Sequence, residues 1–216
     1  MPTLHGVNAS PFVRKVRVFL AEKRVAYTLK PLFPFNVSAE YRKISPLGKI
    51  PAYQDDKVTL ADSSVICAYL ERIHPAPPLY PLDPVDFARS LWFEEYGDGG
   101  LAPIMGARVF FQKIVGPRFL NQPTDEGVIR KALEEDLPPM FDYLESQLGE
   151  GDTLVGNRFT IGDIGIATQF VNFRHAGYAP DAARWPRLAR YIQQVHARPS
   201  FKGLIEEEAK DLGLPS

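Results

Sequence analysis

Residues 75–84 read Pro75-Ala76-Pro77-Pro78-Leu79-Tyr80-Pro81-Leu82-Asp83-Pro84, and the chain changes character on either side of them. Proline fixes one backbone dihedral and removes a hydrogen-bond donor, so such a strip is a poor helix interior and a good connector. It predicts a domain boundary near 76–84, with one domain over 1–78 and a second over 85–216.

Upstream of the strip, short extended and helical signals alternate. Thr3 to Gly6 can begin a strand, and Ser10-Pro11 matches a helix cap followed by proline in the first turn. Val13, Val16, Phe19 and Leu20 then lay an apolar stripe along a helix. Ala26 to Leu32 reads as a second strand, with Pro31 at its edge or end. A short irregular or helical passage covers 37–44. Ala52–Gln54 and Lys57–Leu60 flank the turn-like Asp55-Asp56 as a hairpin. Asp62 or Ser63 caps a helix running to Ile73. These signals predict a small α/β domain with a mixed sheet.

Downstream, the pattern is helical throughout, with segments over 85–113, 124–148, 161–174, 186–196 and 200–210. Gly97, Gly99 and Gly100 are expected to loosen or bend the first segment, and Pro138-Pro139 to kink or divide the second. Thr160-Ile161-Gly162-Asp163 is the clearest start, because Thr160 can accept from an early amide while Asp163 reaches back. That pattern specifies a helix start, not an active site. The second half predicts an all-helical bundle.

Composition narrows the function classes. With 45% hydrophobic residues, 24% charged residues and a formal net charge of -1 over 216 residues, nothing calls for disorder and there is enough chain for substantial cores. No apolar run reaches the roughly eighteen residues a membrane helix needs. The start, MPTLHGVNASPF, lacks the basic and long apolar stretches of a secretory signal. The lone cysteine, Cys67, cannot form an internal disulfide. Together these features predict a reducing, cytoplasmic setting. Residues 1–80 carry 11 Lys/Arg against 6 Asp/Glu, whereas residues 81–216 carry 14 against 20. The basic first part would favour a small anionic ligand; a mixed solvated surface produces the same count. No long basic tract interleaved with aromatics suggests nucleic-acid binding, and no compact Cys/His spacing suggests a metal. His5, His74, His175 and His196 form no evident Ser-His-acid pattern with Ser10.

Taken as bare sequence, the chemistry-bearing residues keep ordinary alternatives. Ser10 and Asp62-Ser63 can be helix caps, Ile50-Pro51 a turn, and Lys49 a solvated surface charge. The segments NASPFVRKVRVFLAEK, SPLGKIPAY, LADSSVICAYLE and FTIGDIGIA, in that order and spacing, resemble the soluble glutathione transferases of serine type, over nearly the whole chain. The resemblance implies a thioredoxin-like N-terminal domain with a mixed four-stranded sheet, followed by an all-α C-terminal domain. It also implies glutathione as cosubstrate, no metal, and a homodimer.

Residue by residue, the resemblance implies that the Ser10 hydroxyl donates to the glutathione sulfur, with Asn8 near the same loop. Ile50 precedes a cis Pro51 and offers its main chain to the cysteinyl portion. Lys49 meets a glutathione carboxylate, while Ser63 and Asp62 meet the γ-glutamyl end. Phe12, Phe35, Met105 and Arg108 are candidates for binding a small hydrophobic electrophile, and core packing is the simpler account of either phenylalanine. Trp92, Tyr96 and Asp98 resemble the start of the first helix of the second domain, where Tyr96 and Asp98 can border the cleft or a subunit interface. Serine at position 10, in place of the cysteine of omega-like transferases and glutaredoxins, favours thiolate stabilisation over mixed-disulfide chemistry. The activity implied is glutathione transfer to an electrophile. Dehalogenase, isomerase or peroxidase chemistry is the near alternative, and a noncatalytic glutathione-binding stress or interaction protein the distant one.

Overall fold

Four short strands build the first unit, Met1–Leu79: β1 (Thr3–His5), β2 (Thr28–Lys30), β3 (Ala52–Gln54) and β4 (Thr59–Leu60). The computed structural model describes residues 1–149 and 151–214. The sheet order is β2-β1-β3-β4. Helix α1 (Pro11–Glu22) carries the chain from β1 to β2, and this crossover makes the pair parallel, Leu4 opposite Leu29. β3 runs antiparallel to β1 with Leu4 opposite Tyr53, and β4 antiparallel to β3 with Tyr53 opposite Leu60. With α2 (Ala39–Ile44) and α3 (Ser63–Ile73) completing the order, this is a thioredoxin-like domain with a mixed sheet.

The core of this unit follows the apolar stripe read from sequence. Leu4, Val13, Val16, Phe19, Leu20, Ile66 and Leu70 are fully buried, and α1 packs on α3. Cys67 is buried with them. β4 is shorter than the expected Lys57–Leu60 because Asp55 draws the two preceding residues into the turn. Its Oδ1 accepts from the amides of Lys57 and Val58, each at 2.8 Å. The proline strip is fastened at its start: buried Lys23 Nζ reaches the Pro77 carbonyl and Glu71 Oε2, both at 2.5 Å, and Glu71 also accepts from the Leu79 amide.

The second unit, from Tyr80 onward, is helical. Helix α4 (Pro84–Glu95) continues into a wider, π-helical stretch, Tyr96–Val115. The expected loosening at Gly97, Gly99 and Gly100 is therefore a change of helix type; Pro103, inside the stretch, adds a missing donor and a ring that clashes with the previous turn. After α5 (Gly116–Phe119), the expected helix over 124–148 is divided into α6 (Glu126–Lys131), a π-turn at Ala132–Asp136 and α7 (Leu137–Gln147). Pro138 and Pro139 thus fall in the first turn of α7, just after the π-turn.

Helices α8 (Ile161–His175), α9 (Pro186–His196) and α10 (Pro199–Asp211) complete the unit. α8 is buried along nearly its whole length. Its start is held as the sequence predicts: Asp163 Oδ2 accepts from the Thr160 amide at 2.8 Å and the Thr160 hydroxyl at 3.0 Å. The other oxygen accepts from the Leu154 amide at 3.0 Å and the Tyr191 hydroxyl at 2.9 Å. One carboxylate thereby joins a loop, a helix start and a second helix. No helix among the described residues is long and apolar enough to cross a membrane.

Candidate functional site

Ser10 caps α1 from an extended conformation, and proline follows it as the first helical residue. The Ser10 hydroxyl accepts from the Val13 amide at 3.4 Å, a long bond, and donates to no group among the described residues. A half-exposed hydroxyl with a proton to give therefore stands at the positive end of a helix. No acidic residue occupies the first turn, and Arg14, Lys15 and Arg17 are all buried along the helix. The N-terminal end of the helix thus favours an anion.

Two of those cations position the surrounding loops. Arg17 donates through Nη1 to Asn8 Oδ1 at 2.5 Å and through Nε to the Tyr27 hydroxyl at 2.6 Å, which fixes the loop before Ser10. Lys15 Nζ donates to Ser64 Oγ at 2.9 Å, tying α1 to the first turn of α3. Neither pairing is visible in the sequence, because the partners lie on different elements. The one local signal was the presence of basic residues between apolar stripe positions.

The Ile50-Pro51 peptide is cis. Neither main-chain hydrogen-bonding group of Ile50 is bonded among the described residues, although the residue is half-buried. The preceding carbonyl, of Lys49, is held by the Tyr41 hydroxyl and by Ser45 Oγ, both at 2.8 Å. Burial raises the Tyr41 hydroxyl above its ordinary pKa, with the Ser45 hydrogen bond opposing, so Tyr41 remains a donor at neutral pH. The Lys49 side chain is exposed. Gly6, directly after β1, has φ +149; a Cβ there would collide with Val13 and stand 3.5 Å from Ile50 Cβ. Glycine is what lets the α1 end and the Ile50-Pro51 segment converge.

Asp62 caps α3 through Oδ1, which accepts from the amides of Ser64 and Val65 at 3.0 and 3.1 Å. Oδ2 takes part in neither bond and is available to a ligand. Ser63 opens the helix, and its hydroxyl makes no hydrogen bond among the described residues. Ser10, Ile50-Pro51 and Asp62-Ser63, far apart in sequence, thus belong to elements joined through Gly6 and the Lys15–Ser64 bond.

The other candidates are distributed differently. Phe12 lies half-buried on α1, and Phe35 is 44% exposed in the connection between β2 and α2. In the second unit, Met105 is fully buried and offers no surface to a ligand, so it is corrected to a packing residue. Arg108 pairs with Asp136 at 2.7 Å and keeps about half its side chain exposed. Tyr96 donates to the Met140 carbonyl at 3.3 Å, and burial pushes its pKa up to about 12. No cluster of His, Cys, Asp and Glu suited to a metal occurs among the described residues.

Comparison with known proteins identifies the family of the chain. Residues 4–78 match the family model for the glutathione S-transferase N-terminal domain, and residues 127–194 match the model for its C-terminal domain. A GST-like protein of Escherichia coli, YibF, whose function is uncharacterised, is 30% identical over 203 residues, covering 92% of this chain and 95% of that one. The chain belongs to the soluble glutathione transferase family. Within that family, a probable maleylacetoacetate isomerase of Drosophila melanogaster is 29% identical, over 93% of this chain and 80% of its own. The crystal structure of a Rhodospirillum rubrum glutathione S-transferase superposes with a TM-score of 0.86 at 26% identity, covering 94% of this chain and 91% of that one. Membership in a family of transferases and isomerases supports glutathione-dependent chemistry for this chain.

Proposed function

We propose that the protein is an enzyme that conjugates the thiol of glutathione to small, mostly hydrophobic electrophiles, with Ser10 stabilising the thiolate. The observation that carries this is the Ser10 hydroxyl, which has a proton to donate at the positive end of α1. A hydrogen bond to a charged acceptor is worth about 1.5–3 kcal/mol, and a helix end adds about 0.3–1 kcal/mol. Together they lower a thiol pKa by roughly 1.5–3 units from its free value near 8.5, so that about half or more of the bound thiol is ionised at neutral pH. The unbonded main chain of Ile50 suits pairing with the cysteinyl portion of the tripeptide. The Ser63 hydroxyl and Asp62 Oδ2 suit the carboxylate and ammonium of the γ-glutamyl end, and Lys49 the remaining carboxylate. Phe12, Phe35 and Arg108 remain the candidates for the electrophile.

The thiolate attacks the electrophilic carbon, the carbon–sulfur bond forms, and the displaced group leaves with its electron pair or a double bond takes up a proton. Ser10 bonds to the sulfur throughout and never becomes covalently attached. The contribution of the protein is orientation and electrostatic stabilisation. The isomerase relatives favour a second form of the same chemistry. In it, the thiolate adds to a double bond, the adduct rotates, and elimination regenerates glutathione.

The test is ultraviolet thiolate absorbance during glutathione titration of the parent and Ser10→Ala. The variant is expected to bind glutathione with little thiolate at pH 7, its bound thiol raised by about 1–2 pK units. Equal thiolate in both proteins refutes the role of Ser10. Product analysis separates the two reactions: a thioether accumulates in conjugation, while isomerisation leaves the glutathione concentration unchanged. Further parts of the same proposal are a cytoplasmic location, a role in detoxification and assembly as a homodimer.

A further inference from the structure

Two hydroxyls from α2 converge on one backbone atom just before the Ile50-Pro51 segment. Tyr41 lies within α2 and Ser45 caps its C-terminal end, four residues on, the spacing that places side chains on one helix face. Both residues are buried. Each donates to the Lys49 carbonyl oxygen at 2.8 Å. The Tyr41 ring is set against His5 of β1, with centroids 6.0 Å apart, and the Gly48 amide closes the intervening turn onto the Ser45 carbonyl at 2.8 Å. One donor would satisfy this carbonyl. Two occupy both of its lone pairs and hold the peptide plane against rotation.

That carbonyl belongs to the same peptide unit as the Ile50 amide. The Lys49–Ile50 bond is trans, so its N–H points opposite to its C=O. With the carbonyl aimed at the α2 hydroxyls, the N–H is aimed away from them, and no group among the described residues accepts it. Donors on the carbonyl also polarise the amide and strengthen its N–H as a donor. Hydrogen bonds weaken steeply as they bend, so an N–H fixed in direction binds better than one free to swing.

We infer that Tyr41 and Ser45 are positioning residues for glutathione: by holding the Lys49 carbonyl, they aim the Ile50 N–H at the carbonyl of the cysteinyl portion. The inference rests on the glutathione site proposed above and adds to it two residues that act through the Lys49–Ile50 peptide.

The test is calorimetric titration of glutathione into the full chain, Tyr41→Phe and Ser45→Ala, followed by amide hydrogen exchange, read by NMR, on each protein saturated with glutathione. Each substitution removes one oxygen atom and leaves the other hydroxyl on the carbonyl, so both variants are expected to fold. Their dissociation constants are expected to rise about three- to ten-fold, with the pKa of the bound thiol unchanged because Ser10 is untouched. Glutathione is expected to slow exchange of the Ile50 amide about ten-fold in the parent and at most about three-fold in either variant. The amide of Tyr53, in the middle of the sheet, is expected to be equally protected in all three proteins. Absence of glutathione binding in the parent removes the proposed site and this inference with it. If the parent binds glutathione, the inference alone is overturned by an unprotected Ile50 amide, by unchanged constants in the variants, or by an equal loss of protection at Tyr53.

Discussion

At the residue scale, the candidate site depends on hydroxyls whose hydrogen bonds are incomplete. Ser10 caps its helix through a 3.4 Å bond, too long to use the hydroxyl fully, and Ser63 at the start of α3 has no side-chain bond among the described residues. Their two substitutions should therefore separate. Ser63→Ala is expected to weaken glutathione binding about ten-fold, the cost of one hydrogen bond to a carboxylate, while leaving the bound thiol's pKa unchanged. Titration calorimetry and thiolate absorbance on the same variant check both halves; an unchanged dissociation constant removes Ser63 from the site. Asp62 differs in kind, because one of its oxygens already serves the α3 amides. The capping function of these residues is legible from sequence alone, since a cap involves atoms only two or three residues apart. The spare donor on each serine is not, because it depends on what the fold leaves beside the hydroxyl.

At the element scale, two devices govern the architecture. The first is the β3–β4 turn. Burial alone would raise the pKa of Asp55, but hydrogen bonds from the Lys57 and Val58 amides and the Tyr69 and Tyr53 hydroxyls outweigh it and hold the carboxyl below its ordinary value of 3.8. A carboxylate depressed in the folded state contributes stability above its unfolded pKa and loses it as pH falls through the folded one. Asp55→Ala is thus expected to lower the melting temperature at neutral pH, and the difference from the parent should shrink below about pH 4. A difference independent of pH would mean that the carboxylate charge contributes nothing to the turn.

The second device is the contact of α8 with α4. A Cβ at Gly162 would stand 2.9 Å from the Ser90 carbonyl oxygen, and one at Gly165 would stand 2.8 Å from Glu94 Cα. Both obstacles are backbone, so the helices must separate to admit a methyl group. Gly165→Ala is expected to destabilise by about 1–3 kcal/mol, visible as a lower urea midpoint. A neutral effect would show that this packing tolerates more space than the geometry implies. Here the sequence signal FTIGDIGIA identified the cap and missed the glycines' purpose, because close helix approach involves residues some seventy positions apart.

At the scale of the whole molecule, each unit exposes apolar side chains beyond its own core. Leu47 is 76% exposed and Val65 50% in the first unit, while Leu82 is 94% and Trp92 53% exposed in the second. Isolated exposed apolar residues are common on any surface. Their presence in both units, together with the family's dimeric habit, supports the proposed homodimer. Sedimentation velocity over a hundred-fold range of concentration is expected to give one species of twice the chain mass; a monomer throughout would refute it. The sequence by itself determined what short-range physics controls. The proline strip separated an α/β part from a helical part, apolar periodicity placed α1 and α3, and Ser10, Asp62 and the Thr160–Asp163 pair marked helix starts. The tertiary structure alone decided that Lys15 reaches Ser64, that Arg17 holds Asn8, that Ile50 keeps its main chain unbonded, and that Met105 is buried. Those facts depend on which distant elements meet, and an atom's remaining capacity to bond is known only once all its neighbours are in place.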